Sequence, residues 1–87
     1  MFHARFESTW LNCFSQLEKS LQERVAKKVE KIREWPERRH LEKGIPYFVA
    51  EVNQYRIIYR VFELEQQVRF YFIFNHKDYE KWYRDFF

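Results

Sequence analysis

The stretch "YFVAEVNQYRIIYRVFELEQQVRFYFIFN", residues 47–75, decides the fold. It contains three runs rich in β-branched and aromatic residues, "YFVAEV", "YRIIYRV" and "VRFYFIF". Only "NQ" and the polar "FELEQQ" separate them, and connections this short join neighbouring antiparallel strands. The sequence therefore predicts a three-stranded antiparallel meander.

Side chains on a strand alternate between the two faces of a sheet. In the middle strand one face would carry the apolar set Tyr55, Ile57, Tyr59 and Val61, and the other face Arg56, Ile58 and Arg60. In the last strand the corresponding sets are Val68, Phe70, Phe72 and Phe74 against Arg69, Tyr71, Ile73 and Asn75. We expect one face to pack on helices and the other, rich in arginine and tyrosine, to be a functional surface.

The residues before this stretch predict a short strand and two helices. "FHARFE" is the strand, and Ser8 or Thr9 could cap the helix that follows. In "SLQERVAKKVEKIREW", Ser20 and Glu23 fit a capping box at the start of the second helix. The apolar stripe of that helix consists of Leu21, Val25, Val29, Ile32 and Trp35. Pro36 would end it.

These elements predict an α+β fold in which an antiparallel helical hairpin packs on one face of the sheet. A short helix beginning at Asp78 would close the chain, with Trp82 and Phe86 turned inward. With 87 residues, the chain is expected to form a single domain, residues 1–87.

Composition narrows the class of protein. Of the residues, 22% are aromatic and 33% are charged, and no apolar run is long enough to span a bilayer. The N-terminal "MFHARFEST" lacks the apolar centre of a secretory signal, so we expect a cytoplasmic protein. The single Cys13 cannot form an internal disulfide and is expected to be a small buried residue. No cofactor or metal site is expected.

The net charge of +3 favours polyanionic partners only mildly. The excess lies in the first half, and the loop "PERRHLEKGIP" concentrates it in Arg38, Arg39 and Lys43. The lysines of the second predicted helix would by default form a solvated face; a contact with nucleic acid or the ribosome is the alternative.

The candidate chemistry lies on the arginine face of the sheet. Arg56, Arg60 and Arg69 are expected to converge there, and guanidinium groups match phosphate oxygens. The alternative is that they form ion pairs with Glu51, Glu63 or Glu65 and only keep the sheet soluble.

A histidine at the end of the last strand strengthens the catalytic interpretation. Cleavage of RNA needs a base for the ribose 2′-OH, cations for the charge on phosphorus, and an acid for the leaving 5′-oxygen. Glu51 or Tyr79 could be the base, Arg56 the phosphate clamp and His76 the acid, while Lys77 adds charge. The alternative is that His76 has a structural role and takes no part in catalysis. Further aromatic side chains could stack on unpaired bases: Tyr71, Tyr79, Trp82 and Tyr83.

The order of elements resembles the RelE/ParE superfamily of toxins from type II toxin–antitoxin systems. "QYRIIYRV" is similar to that family's "YRhhY" strand, where h is an apolar residue, with its arginine at Arg56. "FNHKDYEKW" is similar to the H-x-x-Y segment of the HigB-type branch, with His76 and Tyr79 in the matching positions.

The resemblance implies an mRNA endoribonuclease, usually acting on translating ribosomes, that a cognate antitoxin silences. By the same motifs Arg56 would bind phosphate, and His76 and Tyr79 would be catalytic. The helical hairpin and the basic loop would contact ribosomal RNA. One departure is Glu51, which stands near positions where RelE-type toxins often have lysines. A ParE-like toxin that poisons DNA gyrase and an inactive RNA-binding relative are the alternatives.

Overall fold

The computed structural model describes residues 1–36 and 46–85. Its elements, in chain order, are β1 (His3–Phe6), α1 (Ser8–Ser15), α2 (Lys19–Glu34), β2 (Phe48–Val52), β3 (Tyr55–Phe62), β4 (Gln67–Asn75) and α3 (His76–Arg84). The α+β fold predicted from the sequence is confirmed. Within the described residues, no helix is long and apolar enough to cross a membrane.

The strands found in residues 1–36 and 46–85 form one sheet in the order β1-β4-β3-β2. The meander of β2, β3 and β4 is antiparallel, as predicted, whereas β1 pairs in parallel with β4. Asn53 and Gln66, in the two meander turns, have positive φ angles of 54° and 50°. Tight turns commonly require this left-handed conformation.

The helical hairpin packs on one face of the sheet and forms the main core. Trp10 of α1 is buried, as is the predicted stripe of α2, namely Leu21, Val25, Val29 and Ile32. Cys13 is half-buried against this core. Trp35, which we expected to extend the stripe, is 83% exposed. The helix ends one residue earlier, at Glu34, so the backbone turns Trp35 out of the apolar face.

A bulge in β4 changes which side chains face the hairpin. Ile58 lies opposite Phe72 but Tyr59 lies opposite Phe70, so β4 has an extra residue at Tyr71. The alternation is reset there. Val68 and Phe70 face the hairpin before the bulge, and Ile73 does so after it. The predicted uninterrupted face through Phe72 and Phe74 is wrong, because both side chains point to the opposite layer.

That opposite layer is a small second core beneath α3. Val49 and Ile58 are its buried centre, and the half-buried aromatic residues packed against them are Tyr47, Phe72, Phe74, Tyr79, Trp82 and Tyr83. Trp82 therefore packs inward, as predicted, while Phe86 lies outside the described residues. The face expected to be wholly a functional surface is divided between this aromatic core and arginines.

The starts of the first two helices differ from the predictions. The residue preceding α1 is Glu7, and neither Ser8 nor Thr9 caps the helix. The Thr9 hydroxyl instead donates to the carbonyl oxygen of Tyr71, tying α1 to the bulge. Helix α2 begins at Lys19, before Ser20, so the capping box predicted for Ser20 does not form.

Helix α3 begins two residues earlier than predicted, at His76 instead of Asp78. Asn75 is its N-cap, and the Asn75 Oδ1 accepts a hydrogen bond of 2.8 Å from the backbone N–H of Asp78. Because Asn75 is also the last residue of β4, strand and helix join without a loop. This junction fixes His76 at the end of the sheet.

Candidate active site

Arg56 is the centre of the candidate site. Glu51 on β2 lies directly opposite it across the β2–β3 hairpin, and the Arg56 Nη2 is 3.6 Å from the Glu51 Oε1. On its other side Arg56 Nη1 is 3.4 Å from His76 Nδ1. The guanidinium carbon lies 4.7 Å from the centre of the Tyr79 ring. The structure thus brings together all four residues that the sequence suggested as catalytic.

Each ring nitrogen of His76 has a charged neighbour. A guanidinium only donates hydrogen bonds, so the contact with Arg56 requires a lone pair on His76 Nδ1. The other nitrogen, Nε2, is 3.1 Å from Glu80 Oε1, where its N–H can donate to the carboxylate. Glu80 Oε2 is in turn 3.8 Å from Arg84 Nη2. The imidazole therefore lies between a guanidinium on its Nδ1 side and a carboxylate on its Nε2 side.

Glu80 is a residue of this cluster that the sequence interpretation missed. It follows His76 by four residues, and this spacing places two side chains together on one face of a helix. The signal was present in "HKDYE", but only once α3 is known to begin at His76. A helix beginning at Asp78 leaves His76 outside the helical spacing.

The site opens to solvent through a cleft of about 390 Å³ lined by Glu51, Asn53, Gln54, Tyr55, Arg56 and His76. The Arg56 side chain is 24% exposed, but that of His76 is 66% exposed. Arg56 and His76 both line this cleft, so one bound group could contact both side chains. Water reaches the same groups, which weakens their electrostatic interactions.

Arg60 and Arg69 are on the same face but belong to a separate cluster. They are directly opposite each other on β3 and β4, and their guanidinium carbons are 5.1 Å and 4.8 Å from the Phe62 ring. Arg60 is four residues from Arg56, or about 13 Å along a strand. The prediction that the three arginines converge is therefore wrong: all three share a face, but Arg56 lies apart from Arg60 and Arg69.

Ion pairing of these arginines with glutamate, the alternative considered above, holds for Arg56 alone. Among the described residues, no carboxylate lies within 4.0 Å of a guanidinium nitrogen of Arg60 or Arg69. Lys77 is exposed on the first turn of α3. Arg38, Arg39 and Lys43, proposed as RNA contacts, lie outside the described residues.

The aromatic residues expected to stack on bases form a layer that includes the candidate site. Tyr79 stacks on Tyr83 at 5.7 Å, and Trp82 contacts Tyr47 at 5.4 Å between ring centres. Tyr71 also contacts Tyr47, at 5.3 Å. Half-buried rings of this kind can offer an edge or a face to a base. Within the part of the chain that the structure describes, no group of three or more His, Cys, Asp or Glu residues could hold a metal.

Solved structures with the same fold are toxins and toxin complexes. The isolated RelE toxin of E. coli aligns over all of both chains at 17% identity, with a TM-score of 0.76. A chain of the RelBE2 toxin–antitoxin complex of Mycobacterium tuberculosis is 19% identical, with 86% of this chain and 98% of that chain covered and a TM-score of 0.79. A chain of the archaeal RelE–RelB complex of Pyrococcus horikoshii is 16% identical, with 85% and 93% covered and a TM-score of 0.72. At these identities the likeness establishes a shared fold.

Sequence comparison supplies the family. No curated protein matches the chain. The family model for the ParE toxin of type II toxin–antitoxin systems, parDE, matches residues 1–79, which include the whole sheet, Arg56, His76 and Tyr79. With this match and the RelE fold, the chain belongs to the ParE toxin family, within the RelE/ParE superfamily of type II toxin–antitoxin systems.

Proposed function

We propose that the protein is a toxin that cleaves messenger RNA through the cluster of Glu51, Arg56, His76 and Tyr79. The observation that carries the proposal is the contact of one guanidinium with a carboxylate and an imidazole. A phosphate clamp within reach of two proton-transfer groups is the minimum that acid–base cleavage of RNA requires. Membership of a toxin family supplies the biological setting.

In the proposed reaction the ribose 2′-oxygen attacks the neighbouring phosphorus. The O2′–P bond forms, the P–O5′ bond breaks, the proton of the 2′-OH goes to Glu51, and the leaving 5′-oxygen takes a proton from His76. The products are a 2′,3′-cyclic phosphate and a 5′-hydroxyl. Arg56 binds the non-bridging oxygens, where charge develops in the transition state.

His76 would act through Nδ1, since this nitrogen points toward Arg56 while Nε2 is taken up by Glu80. To serve as the acid, His76 must carry a proton at Nδ1. A phosphate bound by Arg56 would lie beside this nitrogen, because Arg56 Nη1 is 3.4 Å from His76 Nδ1. Glu80 stabilises the resulting imidazolium from the other side, as a carboxylate does in a catalytic triad.

The openness of the site supports a role for a larger partner. Electrostatic catalysis is strongest where water is excluded, yet the side chain of His76 is 66% exposed in the free protein. We propose that message bound on the ribosome completes and closes the site. Contacts to RNA would come from Arg60, Arg69 and Lys77, and from Arg38, Arg39 and Lys43 of the basic loop. This activity would take place in the cytoplasm.

We also propose a cognate antitoxin as the partner that silences the protein, in a toxin–antitoxin hetero-oligomer. Structures of the same fold include RelBE complexes from bacteria and RelE–RelB complexes from archaea. Each of those complexes pairs toxin with antitoxin. A short reading frame for an antitoxin beside this gene would support the same arrangement here.

The proposal is tested by inducing the wild type and the variants His76→Gln and Arg56→Ala, then mapping message ends by primer extension. The wild type should produce new ends bearing 5′-hydroxyls, and both variants should lose them by about 100-fold or more. Leu64→Ala, at a 97% exposed position between β3 and β4, is the control and should cleave normally. Intact messages during wild-type growth arrest would rule out the nuclease.

A ParE-like activity against DNA gyrase is the second candidate, and the parDE description of the matching family model favours it. Gyrase poisoning by binding needs no acid–base pair. It therefore predicts that His76→Gln remains toxic, that messages stay intact, and that plasmid DNA is cleaved or loses supercoiling. The same induction experiment separates the two candidates.

A further inference from the structure

Three arginines form a row across the sheet, remote from the candidate active site. Arg5 on β1 lies opposite Arg69 on β4, and Arg69 lies opposite Arg60 on β3. Adjacent strands are about 4.8 Å apart, so the row spans roughly 10 Å from one backbone to the last. We call Arg5, Arg69 and Arg60 the arginine row.

All three side chains point to the face opposite the helical hairpin. Ala4 and Phe6, which flank Arg5, pack toward the main core, and Phe6 stacks on Phe70 at 5.3 Å. Val68 and Phe70 flank Arg69 and are fully buried there, so alternation turns Arg69 away from the hairpin. Arg60, between Tyr59 and Val61 of the same core, does likewise.

Without a bound anion, repulsion between the arginines of the row destabilises the folded protein. Like charges directly opposite each other on neighbouring strands destabilise a sheet. Within residues 1–36 and 46–85, no carboxylate lies within 4.0 Å of a guanidinium nitrogen of Arg5, Arg60 or Arg69. An anion bound along the row would remove this repulsion.

Two of the guanidinium groups are held in place for such an anion. Arg60 and Arg69 both lie over the Phe62 ring, and Arg69 Nε donates a 2.8 Å hydrogen bond to Gln67 Oε1. Arg60 also lies 5.9 Å from the ring of Tyr47. Fixed guanidinium forks beside aromatic rings match the alternating phosphates and bases of a single strand better than they match a flexible acidic peptide.

The distance between the arginine row and the active site gives the length of single-stranded RNA that would span both. Arg60 is about 13 Å along β3 from Arg56, which corresponds to about four phosphates of a stacked strand at 3.4 Å each, and fewer of an extended one. Aromatic contacts bridge the gap, since Tyr79, Trp82 and Tyr47 follow one another between Arg56 and Arg60.

We propose that the arginine row is a second phosphate-binding subsite, which holds the backbone of single-stranded RNA a few nucleotides from the linkage at Arg56 and His76. The inference rests on the proposed function for the identity of that linkage. It adds that the substrate must extend beyond a dinucleotide, and that a major part of RNA affinity comes from residues outside the catalytic cluster.

The test measures binding of fluorescent oligouridine of about ten nucleotides against salt, with full-length protein carrying His76→Gln to prevent cleavage. Arg5→Gln, Arg60→Gln and Arg69→Gln should each reduce the log–log salt slope by about 0.7, and the triple variant by about 2. Arg24→Gln is the matched control from α2 and should leave the slope unchanged. Glutamine keeps part of the side chain that packs on Phe62, and Arg5→Gln changes only an exposed position.

Two further ligands, a uridine dinucleotide and an oligoglutamate peptide, test where and what the arginine row binds. A uridine dinucleotide should bind the row variants as it binds the parent, and should lose affinity with Arg56→Ala. Salt slopes for the long RNA that do not change in the row variants would overturn the proposal. So would row variants that lose affinity only for an oligoglutamate peptide, which would identify an acidic protein segment as the ligand. Row-dependent RNA binding by a wild type that cleaves nothing would retain the subsite and reject the nuclease.

Discussion

At the scale of single residues, Arg56 determines what the site can bind. Its guanidinium has three neighbours: the carboxylate of Glu51, the imidazole of His76 and the ring of Tyr79. In the free protein Glu51 occupies one side of the guanidinium, so an incoming phosphate competes with this carboxylate. Under the proposed function, Glu51 would therefore oppose binding of RNA and also accept the proton of the 2′-OH.

Glu51→Gln should separate these two effects. If Glu51 is the base, cleavage at saturating RNA should fall by about 100-fold or more, because an amide cannot accept the proton. Affinity for RNA should rise, because Arg56 loses its competing carboxylate. Both are measured with purified protein, as the single-turnover cleavage rate and as equilibrium binding.

Tyr79→Phe tests the other candidate base of the same site. It keeps the ring beneath Arg56 and removes only the hydroxyl, which retains its proton at neutral pH in an ordinary phenol. If Glu51 is the base, cleavage by this variant should stay near normal. Loss of activity in Tyr79→Phe with normal activity in Glu51→Gln would assign the base to the phenol instead.

At the scale of the elements, the junction of β4 and α3 positions His76, the proposed acid. Asn75 ends the strand and caps the helix, and His76 is the first residue of the helix. The sequence predicted the strand and a helix but not that they join directly, since the spacing of apolar residues locates a helix and not its first turn. That error hid Glu80, whose relation to His76 depends on the helical spacing.

Asn75→Ala should loosen this junction. Loss of the cap removes about 1 kcal/mol from the free energy of unfolding, or about 4–8 °C from the melting temperature of a domain this size. Cleavage should fall as well, because fraying of α3 releases His76 from Arg56. Thermal unfolding and cleavage are both measured. Asn75→Asp retains an acceptor for the N–H of Asp78 and should restore both; equal losses in the two variants would contradict the capping role.

The bulge in β4 is the feature of the sheet that the sequence did not predict. Alternation assigned Phe72 and Phe74 to the face of Val68 and Phe70, and every residue concerned is apolar, so hydrophobicity alone could not identify the shift. Only the structure shows that Phe70 and Ile73 share the hairpin face, and a strand can place residues three apart on one face only through a bulge. Tyr71 is the extra residue, and after it the strand presents Phe72 and Phe74 to α3.

At the scale of the whole molecule, the sheet separates two cores of different size. The hairpin side contains most of the fully buried side chains, including Phe70, which contacts the rings of Phe6, Trp10 and Tyr59. The α3 side contains half-buried aromatic residues around Val49 and Ile58. The order of elements and the main core could be predicted from sequence, because long periodic segments fix both. The second core could not, because it depends on the bulge.

Phe70→Ala and Phe74→Ala should therefore differ although both lie on β4. Phe70→Ala should lose about 3–5 kcal/mol of stability, a large share of what such a domain has. Phe74→Ala should lose roughly 1–2 kcal/mol, since its ring is only partly buried. Urea denaturation measures both. Hydrogen exchange should show that Phe74→Ala exposes mainly the amides of α3; equal global destabilisation by the two variants would contradict the two-layer description.

The parallel pairing of β1 with β4 determines when the chain can complete its sheet during synthesis. His3 pairs with Gln67, so the first strand to be synthesised waits for the last before it can join the sheet. The nascent chain cannot complete its fold while β4 is still inside the ribosome, and His76 emerges later still. Under the proposed function, a chain would thus acquire the ability to cleave messages only after β4 and His76 have left the ribosome.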